Sequence, residues 1–242
     1  MSIPKVINYC WFGDKELPEL AEKCIASWKK YCPDYEIIRW GLDNLDISDN
    51  LYASQAYEAG KYSFTSDYAR LKIIYENGGI YLDTDVELLK PLDEFLEFPA
   101  FFGIEKAEAN ISKVNTGIGF GAEKGNPVVK SLMDSYDGIQ YINDGVPDNT
   151  ACPIRNSAVM DSLGFLRRNI RQSIPGAEIF PSEYFCPMDW FTGETKVTNR
   201  TVSIHHFAGS WQSGSVKWLT RYQLLKWKIL GIGFDGYRRG DD

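Results

Sequence analysis

The sequence predicts an α/β fold in which a mostly parallel sheet is flanked by helices on both faces. Segments rich in β-forming residues at 3–9 and 36–40 alternate with segments at 17–31 and 52–59 whose apolar residues recur at helical spacing. Alternation of this kind favours parallel strands joined by helices. Because such open sheets bind ligands beyond the carboxyl ends of their strands, we expect the functional site at that edge.

The helix predicted over residues 63–76 carries two candidate functional residues. Thr65 or Ser66 is available as its N-cap, and the glycine pair that follows the helix predicts its end. Asp67 and Arg70 are three residues apart and therefore neighbours on the helix surface. Taken alone, they could form a surface ion pair of little value. Beside a metal-binding strand end, a guanidinium group suits phosphate oxygens.

The run Gly78-Gly79-Ile80-Tyr81-Leu82-Asp83-Thr84-Asp85 is the most informative stretch of the chain. We expect the strand that begins there to extend through Asp85, so that Asp83 and Asp85 project from the same face. Two adjacent carboxylates repel each other unless a cation lies between them. A divalent ion with oxygen ligands is the simplest explanation. A solvated acidic turn is the alternative for the triplet taken alone.

The two histidines of the chain are adjacent, near the end of a strand predicted over residues 201–206. The side chains of His205 and His206 are expected to point to opposite faces, so that one of them is a candidate ligand for Mn²⁺ while the other packs. The Ser210-Trp211 turn that follows offers a hydroxyl, backbone N–H groups and an indole N–H. These donors suit a diphosphate.

The remaining segments are less regular. They are predicted as strands at 100–104 and 117–121, a helix at 127–136, a polar loop over a site at 138–153 and a helix at 215–230. The last helix combines tryptophans with lysines and arginines. We therefore expect it either to pack on the sheet or to make a peripheral contact with an anionic membrane surface.

Composition and charge narrow the classes of function. With 242 residues, 44% of them hydrophobic, the chain can build one domain with a full core. A net charge of −7 argues against a nucleic-acid partner. No run of about 18 apolar residues predicts a membrane span, and the first residues do not resemble a signal peptide. Five cysteines without a close pair indicate reduced, mostly buried thiols in a cytoplasmic setting.

Four blocks of the sequence together resemble glycosyltransferase family 32. They are Ile3-Pro4-Lys5-Val6-Ile7-Asn8-Tyr9-Cys10-Trp11-Phe12-Gly13, Ser66-Asp67-x-x-Arg70, the glycine and aspartate run over 78–85, and His205-His206-Phe207-Ala208-Gly209-Ser210-Trp211. This family contains bacterial capsular and surface polysaccharide glycosyltransferases and the yeast initiating mannosyltransferase. Its donor site is similar to that of the glucosylating domain of the large clostridial toxins. In the first block, Asn8 stands where the family often has His.

The resemblance implies a GT-A type, Rossmann-like fold, a nucleotide-sugar donor, a Mn²⁺ or Mg²⁺ ion and retention of the anomeric configuration. The implied acceptor is a glycan or a lipid-linked saccharide, at or near the inner face of a membrane. The implied organisation is one domain over 1–242, with a nucleotide-sugar-binding half at 1–90, an acceptor half and metal-closing block at 91–211 and a C-terminal helix at 212–242.

The catalytic residues implied by the resemblance are Asp67, Arg70, Asp83 and Asp85. Asp67 would accept hydrogen bonds from donor sugar hydroxyls, and Arg70 would contact the donor diphosphate or sugar. Asp83 would bind ribose or sugar hydroxyls. The implied metal ligands are Asp85 with His206 or His205.

The resemblance also implies further donor contacts. Trp11 would stack on the nucleotide base, and Ser66 would lie close to the nucleotide. Tyr81 would line the donor pocket. Ser210 and Trp211 would contact the diphosphate.

Three other classes of protein are weaker interpretations. A phosphohydrolase of the haloacid-dehalogenase type also has Asp-x-Asp after an apolar strand, but its fifth residue is Thr or Val, and here it is Glu87. A glycoside hydrolase needs two carboxyl groups about 5–9.5 Å apart, and nothing beyond that spacing supports it. A sugar-nucleotide-binding protein without turnover is disfavoured because both aspartates, Arg70 and the histidines are all present.

Overall fold

A computed structural model describes residues 2–106, 112–189 and 194–209. The helix predicted over 215–230, with its possible membrane contact, lies outside the described residues, as do Ser210 and Trp211. Among the residues described, no helix is both long enough and apolar enough to cross a membrane.

The chain forms twelve strands and six α-helices in its described part. The strands are β1 (Val6–Cys10), β2 (Glu36–Trp40), β3 (Gly79–Tyr81), β4 (Val86–Leu88), β5 (Ala100–Lys106), β6 (Ser112–Val114), β7 (Phe120–Ala122), β8 (Ile142–Asn143), β9 (Val146–Pro147), β10 (Gln172–Ile174), β11 (Ala177–Phe180) and β12 (Ser203–His205). The helices are α1 (Glu19–Tyr31), α2 (Leu51–Glu58), α3 (Tyr62–Asn77), α4 (Pro127–Asp134), α5 (Cys152–Ser162) and α6 (Ser182–Phe185).

The central sheet has the strand order β10-β11-β5-β7-β3-β1-β2, with β6 paired to β5. Along this path β1, β2, β3, β5 and β11 run in one direction, while β7 and β10 run in the other. Strand β4 lies outside this sheet and pairs with β12. The prediction of an α/β fold with a mostly parallel sheet is therefore confirmed.

Two apolar cores cover the two faces of the sheet. Neighbouring strand residues alternate between them, so that Ile80 belongs to one core and Tyr81 to the other. Helix α1 contributes Trp28 to the first core, and its indole N–H donates to the carbonyl of Val86 at 2.7 Å. Helices α2, α3 and α4 cover the opposite face. All five cysteines are buried and unpaired, as the sequence predicts.

Helix α3 agrees with the predicted range to within one residue at each end, but its N-cap differs from the prediction. The helix begins at Tyr62 after Lys61, which makes no side-chain cap. Thr65 and Ser66 therefore lie inside the helix, and the Ser66 hydroxyl donates to the Ser63 carbonyl at 2.7 Å. Ser66 therefore lies inside the helix, one turn before Arg70, and not at the helix end.

The strand that precedes the two aspartates is also shorter than predicted. It ends at Tyr81, and Asp83 and Asp85 lie in the turn between β3 and β4, where the Val86 N–H donates to the Asp83 carbonyl at 3.0 Å. The predicted strand at 117–121 begins only at Phe120. The predicted loop at 138–153 contains the β8–β9 hairpin and the first residues of α5.

Candidate active site

Arg70 lies at the centre of the candidate site, and its own helix fixes the guanidinium. The Arg70 Nε donates to the Ser66 carbonyl at 3.0 Å, and Nη2 donates to the Ser66 hydroxyl at 3.1 Å. These residues are one helical turn apart, so the contact follows from their spacing. Both side chains are buried. The orientation of the guanidinium is therefore set before any ligand binds.

Arg70 holds two carboxylates. Its Nη2 lies 3.1 Å from Asp67 Oδ1 and 3.2 Å from Asp83 Oδ1. The guanidinium also lies 5.0 Å from the ring centroid of Tyr81, whose hydroxyl donates to Asp83 Oδ1 at 3.0 Å. This arrangement brings Asp67, Arg70, Tyr81 and Asp83 together, as the sequence predicts. Asp67 and Arg70 thus form a buried ion pair within a polar network, and the interpretation of this pair as a surface ion pair is wrong.

Burial and charge act in opposite directions on these carboxylates. Burial raises the pKa of Asp67 to about 6, against the lowering effect of Arg70. Burial also raises the pKa of Asp83, and Arg70 again opposes the rise. Removal of the guanidinium would therefore take from both acids the positive charge that opposes the rise in their pKa.

Residues in and just after β12 contact the Asp85 carboxylate. Its Oδ1 lies 3.2 Å from Nε2 of His205, and its Oδ2 accepts the Ala208 N–H at 2.8 Å. Burial alone would raise the pKa of Asp85, but His205 holds it well below its usual range. In turn, Asp85 overcomes the effect of burial and raises the pKa of His205 well above its usual value.

Asp83, Asp85 and His205 form a group that could hold a metal ion. One ligand atom from each, two carboxylate oxygens and a ring nitrogen, lies within 4.8 Å of the others. Oxygen and imidazole donors suit Mn²⁺, so the residues present fit the ion that the sequence predicts. His206 lies elsewhere, with Nε2 2.9 Å from Glu87 Oε2. The geometry thus favours His205 over His206 as a ligand.

Trp11 follows β1 at the same edge of the sheet. Its backbone N–H donates to the Trp40 carbonyl at 2.8 Å, and its indole N–H donates to the Lys15 carbonyl at 2.7 Å. Because the indole N–H already has a partner, the ring face is the part of Trp11 left for a ligand.

Asn8, the departure from the family pattern, is a buried link between strands. Its Nδ2 donates to the Ile80 carbonyl at 3.3 Å, and its Oδ1 accepts the Trp40 indole N–H at 2.8 Å. It therefore ties β1 to both of its neighbours, and it contributes to the position of the turn that carries Asp83.

Three residues near Arg70 were missed by the sequence reasoning. The Gly117 carbonyl accepts the Asp83 N–H at 3.2 Å, and a Cβ on Gly117 would lie 2.4 Å from Asp83 Oδ2. Arg70 Nη1 lies 3.7 Å from Cys152 Sγ, which lies 3.5 Å from Asn115 Oδ1. These contacts are distant in sequence. The one local signal is a glycine three residues before β7, the strand that pairs with β3.

The comparisons with known proteins agree with this geometry. Residues 18–102 match the family described as the glycosyltransferase sugar-binding region containing a DXD motif. The matched segment includes Asp67, Arg70, Asp83 and Asp85. The resemblance to DXD-containing glycosyltransferases of family 32 is confirmed, and the Asp-x-Asp of the matched segment lies in the turn between β3 and β4.

Two relatives and one solved structure named as glycosyltransferases are similar to the chain. The chain is 32% identical over 139 residues to inositol phosphoceramide mannosyltransferase 3 of Schizosaccharomyces pombe, covering 54% of this chain and 36% of that protein. It is 25% identical over 167 residues to the uncharacterized glycosyltransferase L373 of Acanthamoeba polyphaga mimivirus, covering 66% and 65%. The chain thus spans less than two thirds of either relative.

The solved structure of the PaToxG glycosyltransferase superposes with a TM-score of 0.51 at 19% identity, covering 66% of this chain and 70% of that one. At this identity the likeness concerns the fold. The expectation of a GT-A type fold is confirmed.

Proposed function

We propose that this protein is a metal-dependent, retaining glycosyltransferase that moves a hexose from a uridine or guanosine diphosphate sugar. The convergence of Asp83, Asp85 and His205 beside the Arg70 network carries the proposal. This group lies beyond the carboxyl end of β3, where open sheets of this kind bind ligands. The proposed acceptor is a glycan or a lipid-linked saccharide of surface polysaccharide synthesis.

Asp83, Asp85 and His205 are the proposed holders of a Mn²⁺ or Mg²⁺ ion. When bound, such an ion supplies positive charge that stabilises a leaving diphosphate. Trp11 is proposed to stack on the base, with Tyr81 and Ser66 lining the pocket. Ser210 and Trp211 remain proposed diphosphate contacts from the sequence.

The sugar is proposed to be positioned by Asp67 and Arg70. The Asp67 carboxylate accepts hydrogen bonds from hydroxyl groups, and the Arg70 guanidinium donates to the sugar or the diphosphate. Since Ser66 already fixes Arg70, little reorganisation is needed when charge develops on the leaving group.

In the proposed reaction the bond between the anomeric carbon and the diphosphate oxygen breaks, and its electron pair stays on the diphosphate. The acceptor hydroxyl oxygen forms the new bond, and its proton passes to the leaving phosphate. No enzyme nucleophile is proposed. Asp67 and Asp83 both form ion pairs with Arg70, and this suits carboxylates that bind substrate better than carboxylates that act as nucleophiles. The mannosyltransferase named above supports a hexose such as mannose as the group moved.

Release of free nucleoside diphosphate tests the proposal. A thermal-shift screen of nucleotide-sugars with and without Mn²⁺ first identifies the donor, because a ligand of the folded state raises the melting temperature. Incubation with that donor, Mn²⁺ and an acceptor mixture should then release the nucleotide, with the anomeric proton of the product retaining the donor configuration. A donor that binds without any release would indicate a binding protein instead. Release that is unchanged after removal of divalent ions would contradict the metal assignment.

A further inference from the structure

A loop between α5 and β10 presents apolar and basic side chains to solvent. We call residues 165–171 the α5–β10 loop. Leu166 is 56% exposed and Ile170 is 50% exposed, and Arg168 between them is exposed as well. An exposed leucine alone needs no explanation. Two such side chains flanking an arginine in one short loop form a small amphipathic surface.

The Gln172 side chain holds this loop in one shape. Its Nε2 donates to the carbonyls of Leu166, Arg168 and Ile170 at 2.9, 2.9 and 3.3 Å. Its Oε1 accepts the Leu166 N–H at 2.8 Å. Three carbonyls and one N–H of the loop therefore bind one side-chain amide, while the Leu166 and Ile170 side chains remain exposed.

A second anchor fixes the middle of the loop to α6. The Asn169 Nδ2 donates to the Ser182 hydroxyl at 2.9 Å, and the Ser182 N–H donates to Asn169 Oδ1 at 2.7 Å. Because the Gln172 and Asn169 hydrogen bonds fix the loop, the fold itself keeps Leu166 and Ile170 exposed.

The charge of this region is opposite to that of the whole chain. Between Asp161 and Glu178 the sequence has three arginines and no carboxylate, although the net charge of the chain is −7. Arg167 pairs with Asp161, and Arg171 pairs with Glu178. Arg168 has no acidic partner among the residues described here. A cleft of about 640 Å³ beside the loop is lined by Arg200 and by Glu183, which forms an ion pair with it.

The loop lies at the same edge of the sheet as the candidate site. Strand β10 is antiparallel to β11, and Gln172 pairs with Ile179 near the carboxyl end of β11. Strand β11 runs in the same direction as β3, whose carboxyl end leads to Asp83. A surface that meets the loop therefore also faces the edge that carries the candidate site.

We propose that the α5–β10 loop docks on the surface of an anionic lipid bilayer. Leu166 and Ile170 enter the interfacial region, while Arg168 contacts the charged headgroups. Charge complementarity favours this occupant, because an unpaired arginine between the apolar side chains suits anionic headgroups. Two apolar side chains are also too few for the usual interface with a second copy of the chain. The inference goes beyond the proposed transfer reaction and does not depend on it.

Co-sedimentation of the full chain with vesicles tests the loop directly, without donor or metal. One set of vesicles is phosphatidylcholine alone, and the other is phosphatidylcholine mixed with phosphatidylserine. We expect binding to the mixed vesicles that weakens as salt rises. Arg168→Glu should weaken it about 25-fold, because each charge is worth about fivefold at such a surface. The double variant Leu166→Ser with Ile170→Ser should weaken it about tenfold or more.

Matched controls carry the same changes elsewhere. Lys29→Glu makes the same charge reversal on an exposed residue in the last turn of α1, which lies at the opposite edge of the sheet because α1 joins two parallel strands. Leu51→Ser removes an apolar side chain that is 51% exposed on α2. Both controls should bind as the wild type does, and circular dichroism should show all variants folded.

Three results would overturn the inference. The first is wild-type protein that stays in solution with both vesicle types. The second is equal binding by the wild type and both loop variants, which would assign membrane contact to another part of the chain. The third is self-association without vesicles that the loop variants abolish, which would assign the surface to a second copy. An inactive enzyme that still binds vesicles through the loop would overturn the proposed function alone.

Discussion

Two histidine–carboxylate pairs lie side by side where the end of β12 meets the start of β4, and they differ in their exposure to solvent. His205 lies 3.2 Å from Asp85, with side chains 10% and 17% exposed. His206 lies 2.9 Å from Glu87, with side chains 25% and 40% exposed. The first pair reaches Asp83 and completes a possible metal site. Consecutive residues of identical chemistry thus acquire different roles because strand alternation turns one inward and the other outward.

The largest contrast is expected between the two acids. Asp85→Ala should lower the rate of transfer by about a thousandfold, because it removes a holder of the cation that stabilises the leaving group. Glu87→Ala should stay within about twofold of the wild type, since surface changes usually have small effects. Initial rates of nucleoside diphosphate release measure both. Full activity of Asp85→Ala, with its fold intact, would refute the metal assignment.

The two histidines give the next contrast. His205→Ala should weaken Mn²⁺ binding by about 100-fold, on the scale seen when residues around metal sites are removed. His206→Ala should leave the affinity near that of the wild type. Electron paramagnetic resonance of free Mn²⁺ during titration reports the affinity without catalysis. Equal losses in the two variants would mean that the pairs are not distinguished as the geometry indicates.

A comparison of two arginines extends the contrast from acids to cations. Arg70→Lys should lower kcat/KM by about 100-fold, because lysine keeps the charge but loses the fork that reaches Ser66 and both acids. Arg167→Lys also alters an Arg–Asp pair, but on the surface, and it should change kcat/KM by less than about twofold. Steady-state kinetics with a soluble acceptor measure both. An active Arg70→Lys enzyme would show that point charge alone is sufficient.

The smallest effect concerns the support of Asp83. Gly117→Ala should raise the donor Kd by about tenfold, because the new methyl group meets Asp83 Oδ2 and the cost of such overpacking is about 1–3 kcal/mol. Isothermal titration with the donor measures the change. In an Asp83→Ala background the same substitution should have a smaller effect, since its neighbour is gone. Additive effects would place the strain elsewhere.

Local periodicity predicts much of the first 90 residues. The strand predicted at 36–40 is β2, and the helix predicted at 17–31 agrees with α1 to within two residues at its start. Both depend on apolar spacing that the sequence displays. The end of β3 does not depend on apolar spacing. The N–H groups of Leu82 and Asp83 donate to the carbonyls of Asn8 and Gly117, which are far away in the chain. Such partners decide where a strand ends, and spacing alone cannot reveal them.

The candidate site divides in the same way. Asp67 and Arg70 are neighbours on one helix, so their contact can be predicted from the sequence. The choice between the histidines depends on the register of β12 against β4, where His205 is opposite Val86. Cys152 contacts Arg70 from the start of α5, in a region whose polar, turn-rich composition predicts a loop, and Asn115 contacts Cys152 from just after β6.

The hydrogen bond from Ala208 to Asp85 Oδ2 has a mechanical consequence. An ion coordinated by this oxygen would compete with the Ala208 N–H. The backbone just after β12 would then lose this hydrogen bond. Binding of the ion would thus change the hydrogen bonding of the backbone at Ala208, although no ligand contacts this residue. The exchange rate of the Ala208 amide proton measures this hydrogen bond, and the rate should increase when Mn²⁺ is added. An unchanged rate would mean that ion and amide share the carboxylate.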